Sequence, residues 1–588
     1  MDPNRYRWII AEPEEAAVTR LVGELDIEPL LARCLLNRGF ADPSRAAAFL
    51  DPVLKGLMDP FLIPGMAGAV ERLVVARSAG ERLVLFGDYD VDGVSSCALL
   101  VEGMTRLGWK VETYLPHRMD EGYGLSPDGA ANCLEKHPCS LLLAVDCGST
   151  AVETIAWLKG RGVDVIVLDH HQVSDPLPAA VALVNPQLGG RRGHEADSSA
   201  VDFRELCSAG LAFKLLHALI KRGRELGWPE AEALDVRTFL DLAALGTIAD
   251  LVPLTGENRI LVSAGLPRLT KTTRPGLIAL KEAAGLEGPI GVRDVGFGLG
   301  PRLNAAGRLE NADEALRLLL APSVGTAMPI ALSLDTRNRE RQRIEKEITA
   351  QVIGAVKARF NPETDHVIIE GQLLWHIGVV GIVASRVLQE FYRPTIILGG
   401  DGESWRGSGR SIEGFDLAAA LRRCDDLLIK HGGHAMAAGV TIKPDKLDEF
   451  RQRLNAIARE SLSGDLLRPA LRLDAAVSLG DLSLELLGRL SRLQPHGMEN
   501  PPIQFAARNV ALAKPPQRMG KESQHARLML RDATGSAEAV WWNCADKPFP
   551  EGRFDIAFAP ERNDYNGQTR LQLRLLDWRP ATMNLGSS

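Results

Sequence analysis

Three short stretches of the chain carry acid or imidazole side chains directly after an apolar run. In FGDYDVDGVSS (86–96) Asp88, Asp90 and Asp92 are spaced by two. In AVDCGST (144–150) Asp146 precedes a turn of small residues, and in VLDHHQVSD (167–175) Asp169 is followed by His170 and His171. A fourth stretch, TIADLVP (247–253), places Asp250 on a further apolar segment. In extended backbone the three aspartates of the first stretch point one way. Carboxylates crowded on one side repel unless a cation sits between them. Carboxylates alone favour Mg2+, and added imidazole moves the preference toward Mn2+. Such a set is large enough for two ions, and two ions ~3.5–4 Å apart can hold an activated water for in-line attack on phosphorus. Each feature alone has a plainer reading: an aspartate after a strand caps the next helix, and a histidine pair sits at a surface or in a satisfied core. Their recurrence at equivalent places argues for a metal site.

The elements that would position these residues alternate in type. RLVLF (82–86), LLLAV (141–145) and DVIVL (164–168) read as buried parallel strands, separated by helix-length segments such as 95–108 and 149–162. That alternation predicts an α/β domain with a mainly parallel sheet, in which ligands collect at the carboxyl ends of the strands. All four clusters fall on that edge in this reading. Residues 336–360 predict one long helix, with Ile344, Ile348, Val352 and Val356 as its apolar stripe. A second α/β segment follows, with strands at 365–371 and 394–400 and glycine-rich text to 439. Five strand-like pieces near the C-terminus suit a small barrel of the OB type. The domains expected are a helical appendage (1–75), a catalytic α/β domain (76–315), a linking helical segment (316–360), a second α/β domain (361–462) and the barrel (463–588). GGRRGHEADSS (189–199) reads as a mobile loop.

Composition narrows the class. With 588 residues, 45% hydrophobic and 24% charged, the chain is of ordinary globular type and too long for one core. No apolar run approaches the ~18 residues of a membrane span, and MDPNRYRWIIAEPEE has acids where a signal peptide needs an apolar core. The eight cysteines form no CxxC pair and read as reduced thiols, so a cytoplasmic location is expected. A net charge of −7 does not advertise nucleic-acid binding, but an acidic metal site would mask a basic groove elsewhere. No GxxxxGK[ST] is present, which argues against a nucleotide-driven motor.

DYDVDG, VDCG, VLDHH and IADLVPL resemble, in order, the four motifs of the DHH phosphoesterase superfamily. PHRMDEGYGLS (116–126), GPRLNAAGRL (300–309), WHIGVVGIVASRV (375–387), GSGRSIEGFDL (407–417) and HGGHAMAAG (431–439) resemble the further motifs of its RecJ-like members. The resemblance implies a DHH sheet domain and a DHH-associated domain joined by the long helix, with the OB-type barrel after them. It implies Asp90, Asp92, Asp146, His170 and Asp250 as ligands of two divalent ions, Mn2+ or Mg2+, with Asp88 in the same constellation. His171 cannot easily share the direction of His170 in extended backbone, and is better placed to contact the scissile phosphate or assist proton transfer. Asp169 either orients a neighbour or joins the ligand shell. Asp92, Asp169 and His171 are the expected catalytic groups.

The substrate would lie on further residues. Arg118 belongs to a segment that in RecJ-like proteins helps hold the 5′ end, and Arg302 and Arg308 flank Asn304, where an arginine can grip a phosphate bidentately. Asn304 could equally cap backbone. Ser408, Arg410, Ser411, Gly433 and His434 lie in glycine-rich loops whose backbone can approach a nucleic acid closely, and His376 and Arg386 are expected to face the same cleft. In the barrel, Lys514, Arg518, Lys521 and Arg527 with Trp541 would hold a single strand; of Trp541 and its neighbour Trp542, one must be core. The activity implied is a 5′→3′ exonuclease on single-stranded DNA releasing 5′-mononucleotides, in DNA repair and recombination. Partners implied are single-stranded DNA, a single-strand-binding protein and a helicase; no membrane is expected from the lack of a long apolar run, and a monomer is the default expectation. The alternatives are a DHH phosphodiesterase of short oligoribonucleotides or cyclic dinucleotides, and a non-catalytic strand-binding scaffold.

Overall fold

The computed structural model describes residues 6–117, 120–189, 203–309, 312–400, 402–545, 547–565 and 567–581. Of the loop read at 189–199, residues 190–199 lie outside them. The chain divides into two compact units: one of residues 44–340 with 493–501, the other of 1–43, 341–492 and 502–588.

The first unit is built on five strands: β1 (Arg82–Gly87), β2 (Lys110–Tyr114), β3 (Leu141–Val145), β4 (Asp164–Leu168) and β5 (Ala182–Val184). All pair in parallel, in the order β2-β1-β3-β4-β5. Alternate residues of the central strands enter two separate cores. Leu83, Leu85, Leu141, Leu143, Ile166 and Leu168 pack on one face, while Val84, Phe86, Leu142, Ala144, Val165 and Val167 pack on the other. Burial on both faces is why these strands read as unbroken apolar runs. The strand order reverses at β1, whose neighbours β2 and β3 lie on opposite sides, and a crevice opens at that point beyond the carboxyl ends of β1 and β3. Residues 44–75 pack with this unit: Met66, Ala69, Val70 and Leu73 are fully buried in its larger core. The segment 1–75 is therefore shared between the two units.

Helices α1 (Val91–Arg106) and α2 (Ser208–Glu225) pack on the sheet, α3 (Leu240–Ala249) packs on both of them, and α4 (Gly300–Leu309) follows a π-helical turn at Val295–Leu299. The long helix, α5, runs Val324–Arg359 and starts twelve residues before the expected 336. Its first turns bury Ala327, Ala331 and Leu334, a stripe of small residues that the charged text after 336 conceals. The expected stripe is in place, with Ile348, Val352 and Val356 buried and Ile344 packed beside them.

In the second unit, β6 (Ile368–Leu373), β7 (Thr395–Gly400), β8 (Trp405–Arg410), β9 (Leu428–Gly433) and β10 (Ala437–Ile442) form a mixed sheet in the order β9-β10-β8-β7-β6. Helix α6 (Val380–Phe391) packs on β7 and β8. The C-terminal strands are β11 (Ala475–Ala476), β12 (Phe505–Leu512), β13 (Gln517–Met519), β14 (His525–Arg531), β15 (Ser536–Trp541), β16 (Phe554–Tyr565) and β17 (Gln568–Pro580). A pairing of β12 with β14 through Ala511–Arg531 and Leu512–Leu530 closes five of them into a barrel, which leaves the closed strands without a free edge. The N-terminal strand Arg7–Ile10, in text read as helix and loop, pairs in parallel with Ala470–Leu473.

Candidate metal centre

The acids of the first unit meet at the crevice beyond β1 and β3, but not on extended backbone. β1 ends at Gly87, and Asp90 is the N-cap of α1, its Oδ1 accepting from the N–H groups of Asp92 (2.8 Å) and Gly93 (3.1 Å). Asp92 lies in the first turn of α1. The spacing of two therefore works through a strand-to-helix turn, and the cap that seemed the plainer reading is part of the site. A side chain at Gly93 would lie 2.5 Å from the Asp88 carbonyl, so only glycine permits the turn. Asp250 is likewise not at a strand end: it caps the C-terminus of α3.

Asp88, Asp92, Asp146 and Asp169 are each only 1–2% exposed. Helix α2 fixes two of them. Asp92 accepts from the N–H groups of Ser208 and Ala209, both at 2.8 Å, at the positive end of the helix, and the Ser208 hydroxyl donates to Asp146 Oδ1 at 2.8 Å. Asp146 itself holds φ +62°, a left-handed conformation costly outside glycine and concentrated at functional sites. Gly246 is close-packed on the other side, where a Cβ would lie 2.9 Å from Asp92 Oδ1. Neither Ser208 nor Gly246 was singled out in the sequence; the signal available was the run of small residues in CSAG (207–210) opening a helix.

His170 stands at the centre, its Nε2 3.5 Å from Asp146, 3.6 Å from Asp250 and 4.0 Å from Asp92. Three sets of donor atoms lie within 4.8 Å of one another: Asp146–His170–His171, Asp92–His170–Asp250 and Asp88–Asp90–Asp146. Asp146 belongs to two sets, and its carboxylate is a group able to bridge neighbouring ions; His170 also belongs to two, but its single Nε2 lone pair can serve only one ion. Electrostatics agrees with that donor set. Burial, then the charge of Asp90, pushes Asp92 up to about 6; burial, then Asp92 and Asp90, pushes Asp250 up to about 9; Asp146 is raised well above the carboxylate range by burial and all its acidic neighbours. These carboxylates are costly to ionise together without a cation, and a hard divalent ion is the group their oxygens fit. His170 is pressed down to about 4 by burial and then by His171, which keeps it neutral, the form that ligates metal.

The adjacent histidine is held differently. Burial would lower His171, but Asp169 Oδ1 at 2.7 Å from its Nδ1 lifts it to about 9. Burial would raise Asp169, yet the hydrogen bond from His171, with that from Ser149 N at 3.1 Å, holds it below the carboxylate range. The Tyr123 hydroxyl lies 3.1 Å from His171 Nε2, a contact the sequence reading missed.

The expected substrate residues divide. Arg118 lies outside the described residues, and Arg308 is described only as a position on α4. Arg302 is committed to Asp335 at 2.8 Å and to the Gly298 carbonyl at 2.7 Å, so it is not presented to a phosphate. Asn304 accepts from Val91 N at 3.2 Å and so supports the metal-bearing turn. In the second unit Arg386 pairs with Glu345 at 3.0 Å, the Ser411 hydroxyl is buried on the Phe415 carbonyl, and His376 Nδ1 accepts from Gly378 N. Arg410 is the exception. Its guanidinium donates to Ser408 Oγ and the Gly409 carbonyl, both at 2.8 Å, and it has no carboxylate partner among the described residues. Gly433 takes φ +136° and His434 is exposed on the same turn.

In the barrel, Lys514, Arg518, Lys521 and Arg527 lie on the surface. Trp541 does not: it is 5% exposed, while Trp542 is 44% exposed with His525 edge-on at 4.6 Å. Adjacent strand residues face opposite ways, and it is Trp541 that turns into the core.

A parallel sheet with carboxylates and a histidine gathered at its switch point is the arrangement of a metal-dependent phosphoesterase, and residues 82–247 match the family model described as DHH family, N-terminal domain. Residues 364–460 match the DHHA1 domain and residues 473–577 the RecJ OB domain. Single-stranded-DNA-specific exonuclease RecJ of Bacillus subtilis is 36% identical over 98% of this chain and 71% of its own length, and that of Escherichia coli 34% over 93% and 95%. The crystal structure of RecJ in complex with Mn2+ from Thermus thermophilus superposes with a TM-score of 0.82 at 30% identity, covering 98% of this chain and 80% of that one. The chain belongs to the RecJ family.

Proposed function

We propose that the chain is a single-stranded-DNA-specific exonuclease that works 5′→3′ with two divalent ions, Mn2+ or Mg2+, and releases 5′-mononucleotides in DNA repair and recombination. One observation carries the reading: five carboxylates and two imidazoles from four chain segments converge at the switch point of a parallel sheet, with the Asp146 carboxylate common to two donor sets. The relatives above, named as single-stranded-DNA-specific exonucleases, support its substrate and reaction class.

Asp88, Asp90, Asp92, Asp146, His170 and Asp250 would hold the ions, whose chemistry is a water deprotonated near neutral pH and charge neutralised on phosphorus. The chain's own residues do the rest. Asp92, locked by the amides of α2, keeps its lone pairs in one direction. Asp169 holds His171 by Nδ1, leaving Nε2 for the scissile phosphate or for proton transfer to the leaving oxygen. Arg410, with Ser408, Gly433 and His434, offers a guanidinium and open backbone to a substrate phosphate; the family resemblance assigns the segment of Arg118 to the 5′ end, and Arg308 is a candidate for gripping a phosphate. The barrel cations with Trp542 hold the strand beyond. The family resemblance supports a single-strand-binding protein and a helicase as partners, the unpaired cysteines support a cytoplasmic location, and a monomer is the state assumed.

The test is digestion of 5′- and 3′-labelled single-stranded DNA with Mn2+, beside blunt duplex, short RNA and a cyclic dinucleotide. Expected is loss of the 5′ label as mononucleotide, absent on duplex and in His170→Ala. Cleavage confined to the RNA or cyclic dinucleotide would overturn it.

A further inference from the structure

His171 is held at both ring nitrogens, and the two contacts are built unlike each other. The Nδ1 contact is part of the strand end: Asp169 is 1% exposed and fixed by Ser149 N. The Nε2 contact comes from Tyr123, whose residue is 57% exposed. Its flanking residues, Gly122 at φ +83° and Gly124 at φ +71°, both take the left-handed conformation and can change φ at little steric cost. The ring meets Tyr89 and His171 only by edges, at 6.2 and 6.1 Å between centroids. The stem of the same segment is clamped, because Glu121 accepts from the Tyr114 hydroxyl, His117 N and Asn132 Nδ2. A fixed stem and a glycine hinge thus carry one hydroxyl to the remaining nitrogen of His171.

We propose that Tyr123 is a latch: its hydroxyl occupies His171 Nε2 in the substrate-free enzyme and is displaced when a substrate phosphate takes that nitrogen. This rests on the reading that His171 faces the phosphate. With Nδ1 committed to Asp169, Nε2 is the one ring atom left for a ligand. Whether the tyrosine O–H donates to Nε2 or the imidazolium N–H donates to the tyrosine oxygen, the contact exists only before the phosphate binds. The latch therefore stabilises the empty state, and removing it tightens phosphate binding. A tyrosine that itself donated to the phosphate would have the opposite sign.

The experiment is calorimetric titration of 5′-dTMP into the Mn2+-loaded full-length protein, as wild type, Tyr123→Phe, His171→Ala and the double variant. Expected is a two- to tenfold tighter Kd for Tyr123→Phe, the size of about one net hydrogen bond, with no such gain on the His171→Ala background. Unchanged or weaker binding by a folded Tyr123→Phe protein would overturn the latch. If His171→Ala binds dTMP as well as wild type, the phosphate-facing role of His171 fails instead, and the two failures are told apart.

Discussion

The catalytic sheet and the C-terminal barrel both present charge to a polyanion, and they do so in opposite ways. At the sheet, Asp88, Asp92, Asp146 and Asp169 are buried to 1–2% exposure, and both oxygens of Asp92 are fixed by backbone amides from a helix that starts elsewhere in the chain. On the barrel, Lys514, Lys521 and Arg527 project into solvent, where a charge is worth little individually and acts through the summed field. Buried charge specifies a geometry, which chemistry needs. Exposed charge supplies attraction, which a sliding strand needs. Arg410 lies between these limits, partly buried and held by its own strand, yet without an acid among the described residues.

The comparison breaks most sharply at the metal centre. His170→Ala should cut turnover by about 10²–10³-fold or more with an unchanged circular dichroism spectrum and unchanged single-strand affinity; retained activity would remove His170 from the site. Asp92→Ala should lose activity equally but also about 1–3 kcal/mol of stability, because the amides of Ser208 and Ala209 lose their acceptor. Chemical denaturation separates the two variants. Metal removal should carry a pH signature. Asp92, Asp146 and Asp250 have raised values in the folded, metal-free protein, so their contribution to stability is full below the ordinary carboxylate range and is lost as pH rises through about 6 and about 9. The gap in Tm between Mn2+-loaded and chelated protein should therefore widen from about pH 5 to about pH 9, and a constant gap would contradict the cluster. Smaller effects sharpen the other side. Arg410→Ala should raise KM for single-stranded DNA about tenfold with Tm unchanged, whereas Arg302→Ala should lower Tm by removing the more buried of the two arginines, Arg302 and Arg339, that pair with buried Asp335. Smallest, Trp542→Ala should weaken strand binding by about 1–3 kcal/mol at constant stability, while Trp541→Ala should cost about 3–5 kcal/mol of folding; anisotropy and thermal melts of the pair decide which ring faces the strand.

What could be read from the sequence follows the same division. β1, β3 and β4 are legible because burial on both faces leaves nothing but apolar residues in most of 82–86, 141–145 and 164–168. The acids after them are legible because spacing and position repeat. Asp250 was found by its composition but misplaced, since a helix C-terminus can aim a carboxylate at a strand edge and no local pattern announces it. Ser208 and Tyr123 were missed because their roles are set by partners 62 and 48 residues away. Arg302 and Asn304 sit in a motif whose residue types suit a phosphate, yet tertiary packing commits them to Asp335 and to Val91. The early start of α5 was hidden because small residues on a buried stripe give little amphipathic contrast.

The bond from Ser208 and Ala209 to Asp92 joins positions 116 and 117 residues apart, and the last carboxylate of the cluster stands at 250. A site assembled from such distant segments forms late, after the sheet has closed, because long-range pairings are the slow part of folding. During synthesis, domains fold in the order they emerge, so the aspartates of the first turn leave the ribosome well before the helix and the carboxylate that complete their cage. A nascent or prematurely terminated chain that stops short of Asp250 thus carries an incomplete donor set. On the proposed assignment of the ligands, such a chain holds too few acids for both ions and does not cleave.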